Sequence, residues 1–144
     1  MPSNVGEILT DILDALRDTK AFAAVTLGPD SDAARWPRAE VLLVRVERAQ
    51  PDDSPQGAWW AIRAEVRICV RSTEETSALE RALELAETAQ AAVLTDRFRG
   101  QRCQDLPIGR ATELGPADVE PAVKAPYLMV AFEVRCHFEA EGEA

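Results

Sequence analysis

Between residues 59 and 71 apolar and charged side chains alternate. Trp60, Ile62, Ala64, Val66, Ile68 and Val70 take the even positions, and Arg63, Glu65, Arg67 and Arg71 stand among the odd ones. Period two, with one apolar and one charged face, predicts a strand. At about 3.3 Å per residue the run reaches roughly 40 Å, so one end is expected to project past its neighbours, where a partner would meet it. The period then changes. Ser72 followed three residues later by Glu75 reads as a capping box, with Thr73 as a competing cap. Leu79, Ala82, Leu83, Ala86, Ala89 and Val93 follow at helical spacing, a narrow Ala-rich stripe that lets a helix lie close to a sheet. Glu80, Glu84 and Glu87 fall outside it, as a solvated face or an acidic functional surface.

Upstream, Asn4 with Glu7 predicts the start of a first helix. Its face is Val5, Ile8, Leu9, Ile12, Leu13 and Leu16, and it ends near Thr19. Residues 22–27 predict a short strand closed by the turn residues Gly28, Pro29 and Asp30, and residues 31–38 a loop. In a second strand over 41–48, Leu42, Val44 and Val46 are expected on one side, and Val41, Leu43, Arg45 and Glu47 on the other. The polar connection 49–57 is longer than a tight hairpin needs and is expected to stand off the sheet. Residues 107–114 predict a further short strand, and Asp118, Glu120, Pro121 and Pro126 mark a loop. The closing strand alternates Leu128, Val130, Phe132, Val134, Cys136 and Phe138 with Met129, Ala131, Glu133, Arg135, His137 and Glu139. The expected fold is α+β, a mixed or antiparallel sheet packed against two helices in the order α-β-β-β-α-β-β. It forms one domain over residues 1–140 with a polar tail at 141–144.

A chain of 144 residues can bury roughly 68–70% of its unfolded surface without metal or disulfide staples. Its net charge of −9 is uneven: −2 over residues 1–72 and −7 over residues 73–144. An acidic chain is poorly suited to gripping phosphates, which takes Lys and Arg. It does suit a surface that DNA slides past. Cys69, Cys103 and Cys136 are odd in number, widely spaced and without a CxxC, which fits free thiols better than a disulfide framework. No basic-then-apolar signal segment and no membrane-length apolar run is present, so the expectation is a soluble chain.

Candidate chemistry is sparse. Cys136 and His137 are adjacent on a strand and point to opposite faces, so they cannot share a metal. With a single His the usual zinc spacing is missing. No phosphate-cradling, dinucleotide or nucleophile-elbow glycine motif occurs. Cys69 and His137 lie on the outer faces of their strands and make a conceivable nucleophile and base. Arg97, Phe98, Arg99, Gly100 and Arg102 form a short basic patch, the pattern checked for nucleic acid, between Asp96 and Asp105. From the residues alone this is a domain that interacts and does not catalyse, with no metal and no cofactor.

Three stretches and their order resemble the tail terminator (tail completion) proteins of long-tailed bacteriophages. They are the opening Asn4, Val5, Gly6, Glu7, Ile8, Leu9 helix, the strand 59–71 running into Ser72, Thr73, Glu74 and Glu75, and the closing Ala125, Pro126, Tyr127, Leu128, Met129, Val130 strand. The resemblance spans nearly the whole chain and is one of architecture, without a catalytic motif. It implies a homohexameric ring at the head-proximal end of the tail tube, in the virion and, during assembly, in the host cytoplasm. Its partners would be itself, the tail tube protein and the head-tail connector, with no membrane; DNA would pass through the hole without specific binding. On that footing Arg63, Glu65, Arg67 and Arg71 are expected to face acidic side chains of a neighbour. Pro51, Asp52, Asp53, Ser54 and Pro55 are expected to order on contact with the tube or the next subunit. A head-tail connector or another minor tail protein has similar makeup. The third alternative is a small-molecule or enzymatic domain using Cys69, His137 and the 97–102 loop.

Overall fold

The computed structural model describes residues 4–29, 35–48, 59–71, 75–104, 111–120 and 127–139. Two helices, α1 (Asn4–Asp18) and α2 (Glu75–Leu94), cover one face of a six-stranded sheet built from β1 (Ala24–Leu27), β2 (Arg38–Arg48), β3 (Trp59–Arg71), β4 (Thr112–Leu114), β5 (Asp118–Glu120) and β6 (Tyr127–Glu139). The strand order is β1-β2-β3-β6-β4, and β5 also pairs with β6. Only β1 and β2 are parallel; every other pairing is antiparallel, so the sheet is mixed and the fold is α+β.

β3 and β6 pair along their whole lengths, from Trp59 opposite Glu139 to Arg71 opposite Tyr127. Side chains alternate across a strand, so this one register sends Ile62, Ala64, Val66, Ile68, Val130, Phe132, Val134, Cys136 and Phe138 to the helix side. All of them are buried in one core. The α1 face of Val5, Ile8, Leu9, Ile12, Leu13 and Leu16 is buried in the same core, as its spacing predicts. Arg17 ties the end of α1 to the sheet by donating to the Val25 carbonyl at 3.1 Å. Gly28 continues the β1–β2 pairing by donating to the Val41 carbonyl at 2.7 Å, with a φ of +84° that favours glycine.

Five details differ from the sequence reading. Neither end of β3 projects past its neighbours, because β6 pairs with all thirteen of its residues. The second strand begins at Arg38, inside the segment expected as loop, because parallel pairing with β1 starts there. The register of β2 slips between Leu43 and Arg45. The bulge at Val44 moves Val46 to the side of Ala39, Val41 and Leu43 and leaves Val44 58% exposed. In α2 the buried stripe is Ala78, Ala82, Leu85, Ala86, Ala89 and Val93; Leu83 points outward. Residues 118–120, expected as loop, make the short strand β5 on β6. Residues 49–57, Ser72, Thr73 and Glu74 of the helix start, Asp105 and residues 107–110, Pro121 and Pro126, and the 141–144 tail lie outside the described residues.

The position of the α2 stripe has a measurable consequence. Leu85 is 2% exposed and Leu83 39%, so Leu85→Ala is expected to lower unfolding free energy by about 2–4 kcal/mol, and Leu83→Ala by about 1 kcal/mol or less. Urea denaturation of the two variants checks this; equal losses would mean that α2 is rotated from this orientation.

Candidate functional site

The face of the sheet turned away from the helices carries charge in rows. One row crosses four strands as Arg45, Arg63, Arg135 and Glu113. Beside it run Leu42, Glu65 and Glu133 on one side and Glu47, Ala61 and His137 on the other. Arg63 directly opposite Arg135 is unfavourable by itself. The glutamates of the flanking rows reverse the sign: Arg63 Nε lies 3.3 Å from Glu133 Oε1 and 3.5 Å from Glu47 Oε1. Arg135 reaches Glu113 at 3.6 Å, Glu133 at 3.7 Å and Glu47 at 3.9 Å. Arg45 stands 3.8 Å from Glu47 at the outer end of the row. Each exposed pair contributes about 0–1 kcal/mol. What the lattice fixes is the placement of charge over this face of the sheet.

Nearer β1 the same face becomes dry. Arg38 and Glu40 pair at 3.2 Å with both side chains less than a tenth exposed, and the Arg38 guanidinium stacks on Trp36 at 4.1 Å from the ring centroid. Next to them Cys69 is buried. Burial first, and the Glu40 carboxylate second, push its thiol up to about 11, against the opposing pull of Arg38 and Arg67.

Of the residues singled out in the sequence, Arg63, Glu65 and Arg67 share this face. Arg63 is already engaged by Glu133 and Glu47 of its own chain, and Arg67 Nε bonds Glu65 at 3.2 Å. Arg71 is exposed at the end of β3. Pro51, Asp52, Asp53, Ser54 and Pro55 lie outside the described residues. Glu47, Glu113, Glu133 and Arg135 were not among the residues the sequence reading assigned to an interface; the alternation that sets Glu133 and Arg135 opposite the apolar positions of the closing strand was the signal that they share the charged face with Arg63.

The conceivable nucleophile and base are far apart. Cys69 pairs with Met129 and His137 with Ala61, a separation of eight residues along β6, or roughly 26 Å. Cys136 and His137 do point to opposite faces: Cys136 accepts a hydrogen bond from Thr112 at 3.6 Å inside the core, and His137 lies 3.9 Å from Glu113 on the other side. Cys103 is pushed up by its hydrogen bond to Cys136 and then by burial. Among the described residues no three His, Cys, Asp or Glu side chains come together as a metal site, and no helix is long and apolar enough to cross a membrane.

The basic patch after α2 is internal structure. Arg99 is 2% exposed; its guanidinium donates to the carbonyls of Val93 and, at 2.7 Å, Asp96, and lies 2.9 Å from Asp11 of α1. Arg102 reaches Glu7 at 3.6 Å and Asp11 at 3.8 Å. Asp96 accepts from the backbone N–H of Gly100 at 2.6 Å and of Phe98 at 3.1 Å, and these bonds, Gly100 first, hold its carboxyl below the ordinary value. They pin a turn in which Arg99, Gly100 and Gln101 all have positive φ. Two of the three arginines therefore bind α2 to α1, and the patch offers no run of cations to a phosphate backbone.

Arg99→Ala is expected to cost about 3 kcal/mol or more, since it strips a buried cation from its acceptors, whereas Arg97→Ala on the exposed side should stay within about 0.5 kcal/mol; thermal melts of the two decide. The raised thiol of Cys69 also sets a pH dependence. The unfolded thiol ionises near 9 and the folded one holds its proton to about 11, so the native state binds more protons across that window. This contribution is intact below pH 9 and is lost as pH rises from 9 to 11. Urea midpoints from pH 8 to 11 should fall in wild type and fall less in Cys69→Ala; equal slopes would count against a desolvated thiol.

No protein-family model matches this sequence, and neither does any curated protein. Among solved structures 36 chains match. One is a chain of the virion of a native gene transfer agent (GTA) particle, 16% identical, with 92% of each chain covered and a TM-score of 0.47.

Proposed function

We propose that this chain is a structural protein of a phage-type tail, closing into a six-membered ring on the head-proximal end of the tail tube. There it ends tube growth and offers the surface on which the head connector docks. The observation that supports this best is the division of the sheet: one face is covered by helices, and the other carries an ordered array of charge. The residues able to do chemistry are scattered over both sides. Such a face recognises by geometry, because a row of three arginines ending in Glu113, with Glu65 and Glu133 on one side of it and Glu47 on the other, matches a partner in one register and loses that match one row away.

The terminating action then follows from asymmetry. A subunit whose two ends differ can match the tube with one surface and fail to match another tube subunit with the opposite one. Glu65, Arg67 and Arg71, with Arg63 inside the lattice, are the part of β3 we assign to a neighbour or the tube. DNA would pass without gripping, in keeping with a net charge of −9.

Electron micrographs of lysates from the parent particle lacking this gene test the reading. Overlong, headless tails, restored to a single length when the protein is added back, are expected. Tails of normal length that fail to join heads would make it a connector; unaltered infectious particles would remove the structural role altogether.

A further inference from the structure

Among the described residues β2 is paired on its outer side over only four of its 11 positions. β1 covers Arg38 to Val41, and among the described residues no strand pairs with the stretch from Leu42 to Arg48 on that edge. The uncovered stretch is also where apolar side chains reach solvent: Val44 is 58% exposed and Leu43 38%, with Leu27 at the end of β1 close by at 56%. Isolated exposed apolar residues mean little. Two on one open strand stretch, with Leu27 of the adjoining strand beside them, mark a surface that gains from being covered.

At the far side of the sheet β4 forms the opposite edge, and the ladder puts it level with the open part of β2. Val46, Ile62, Cys136 and Thr112 lie in one row; Arg45, Arg63, Arg135 and Glu113 in the next; Leu43, Ala64, Val134 and Leu114 in the third. The charged row thus begins with an exposed cation, Arg45, and ends with a carboxylate, Glu113. The apolar rows end in Leu43 and Val46 at one edge and Leu114 at the other. Strand direction agrees as well: β2 runs parallel to β6 and β4 antiparallel to it, so β2 and β4 of adjacent copies would meet antiparallel.

We infer that the open stretch Leu42 to Arg48 of one copy seats against β4 of a second copy, carrying the sheet and its rows from subunit to subunit. Arg45 of each copy then stands beside Glu113 of the next, and Leu43 and Val46 continue the apolar rows of Leu114 and Thr112. The two edges differ, so the contact is heterologous, the kind that builds a ring when the rotation closes. Because they are level, a neighbour needs no axial shift, which suits a flat ring over a climbing helix. The bulge at Val44 breaks the regular spacing of edge hydrogen-bonding groups. It falls between the Leu43 and Arg45 rows, so a strand that pairs here has to accommodate the extra residue, which discourages indiscriminate edge pairing. This deepens the ring reading above and rests on it.

Charge reversal tests the contact, with the oligomeric state of the full chain read by native mass spectrometry. Arg45→Glu or Glu113→Arg alone is expected to weaken assembly by about tenfold or more, and the two together in one chain to restore it. Val44→Lys, at an exposed position, should also weaken assembly while leaving the melting temperature unchanged. A chain carrying Arg45→Cys and Glu113→Cys should form cross-linked multimers under mild oxidation by diamide, and neither single variant should do so. Multimers that survive both reversals and yield no cross-link would overturn this interface yet leave a ring built on other surfaces; a monomeric wild type at about 100 µM would overturn it too. Tail lengths, read separately, judge the terminator role whichever way the interface falls.

Discussion

The full-length antiparallel pairing of β3 with β6 is the constraint on which the other parts depend. Its thirteen residue pairs set one parity for the whole sheet, and a shift by one residue would exchange the buried and charged faces outright. The helices fit only because that parity gathers Ile62, Val66, Phe132, Val134 and Phe138 on their side. The short strands depend on it equally. β4 and β5, three residues each, cannot stand alone and exist because β6 presents a straight outer edge to them.

Parity also explains how a face with so many charges persists. Like charges fall directly opposite one another at Arg63 and Arg135 and again at Glu65 and Glu133. Each pair alone is unfavourable, but charges of opposite sign lie two residues apart at Arg45 and Glu47, Arg63 and Glu65, and Glu133 and Arg135, within reach of long side chains. The stabilisation is small and screened by salt. The arrangement makes little sense as a device for stability and good sense as one that fixes a pattern. The buried Arg38–Glu40 pair is different in kind: desolvation roughly offsets its attraction, so it contributes a fixed geometry around Trp36 and Cys69 more than energy.

How much of this the chain discloses depends on the length over which a period is repeated. The long strands and α1 repeat their pattern over many residues and are legible directly. The run Val41, Leu42, Leu43, Val44 is apolar at every position, so nothing local says where alternation slips, and the bulge is decided by pairing with β3. The α2 stripe was misjudged at one turn for a similar reason: among many alanines, Leu83 and Leu85 weigh equally until the sheet selects Leu85. Arg99 misled most. A cation between arginines reads as surface, and only the meeting of the α2 end with Asp11 of α1 turns it into a buried tie. The charged face was half legible, in that Arg63, Glu65 and Arg67 were visible as a strand face, while Glu47 and Glu113 join it only through tertiary registration.

The distribution of charge gives the chain two unlike layers. On the sheet face arginines and glutamates nearly cancel: Arg45, Arg63 and Arg135 stand among Glu47, Glu113 and Glu133. Much of the chain's excess of negative charge therefore sits elsewhere, and the described helices hold a large share of it, with Asp14, Asp18, Glu80, Glu84 and Glu87 all exposed. One layer is balanced and patterned, the other acidic and unpatterned. A balanced pattern favours specific contact in one register, whereas an unpatterned excess of one sign favours separation from anything similarly charged, a polyanion included. In one small domain the two layers differ in kind, and the difference follows from the single parity imposed where β3 meets β6.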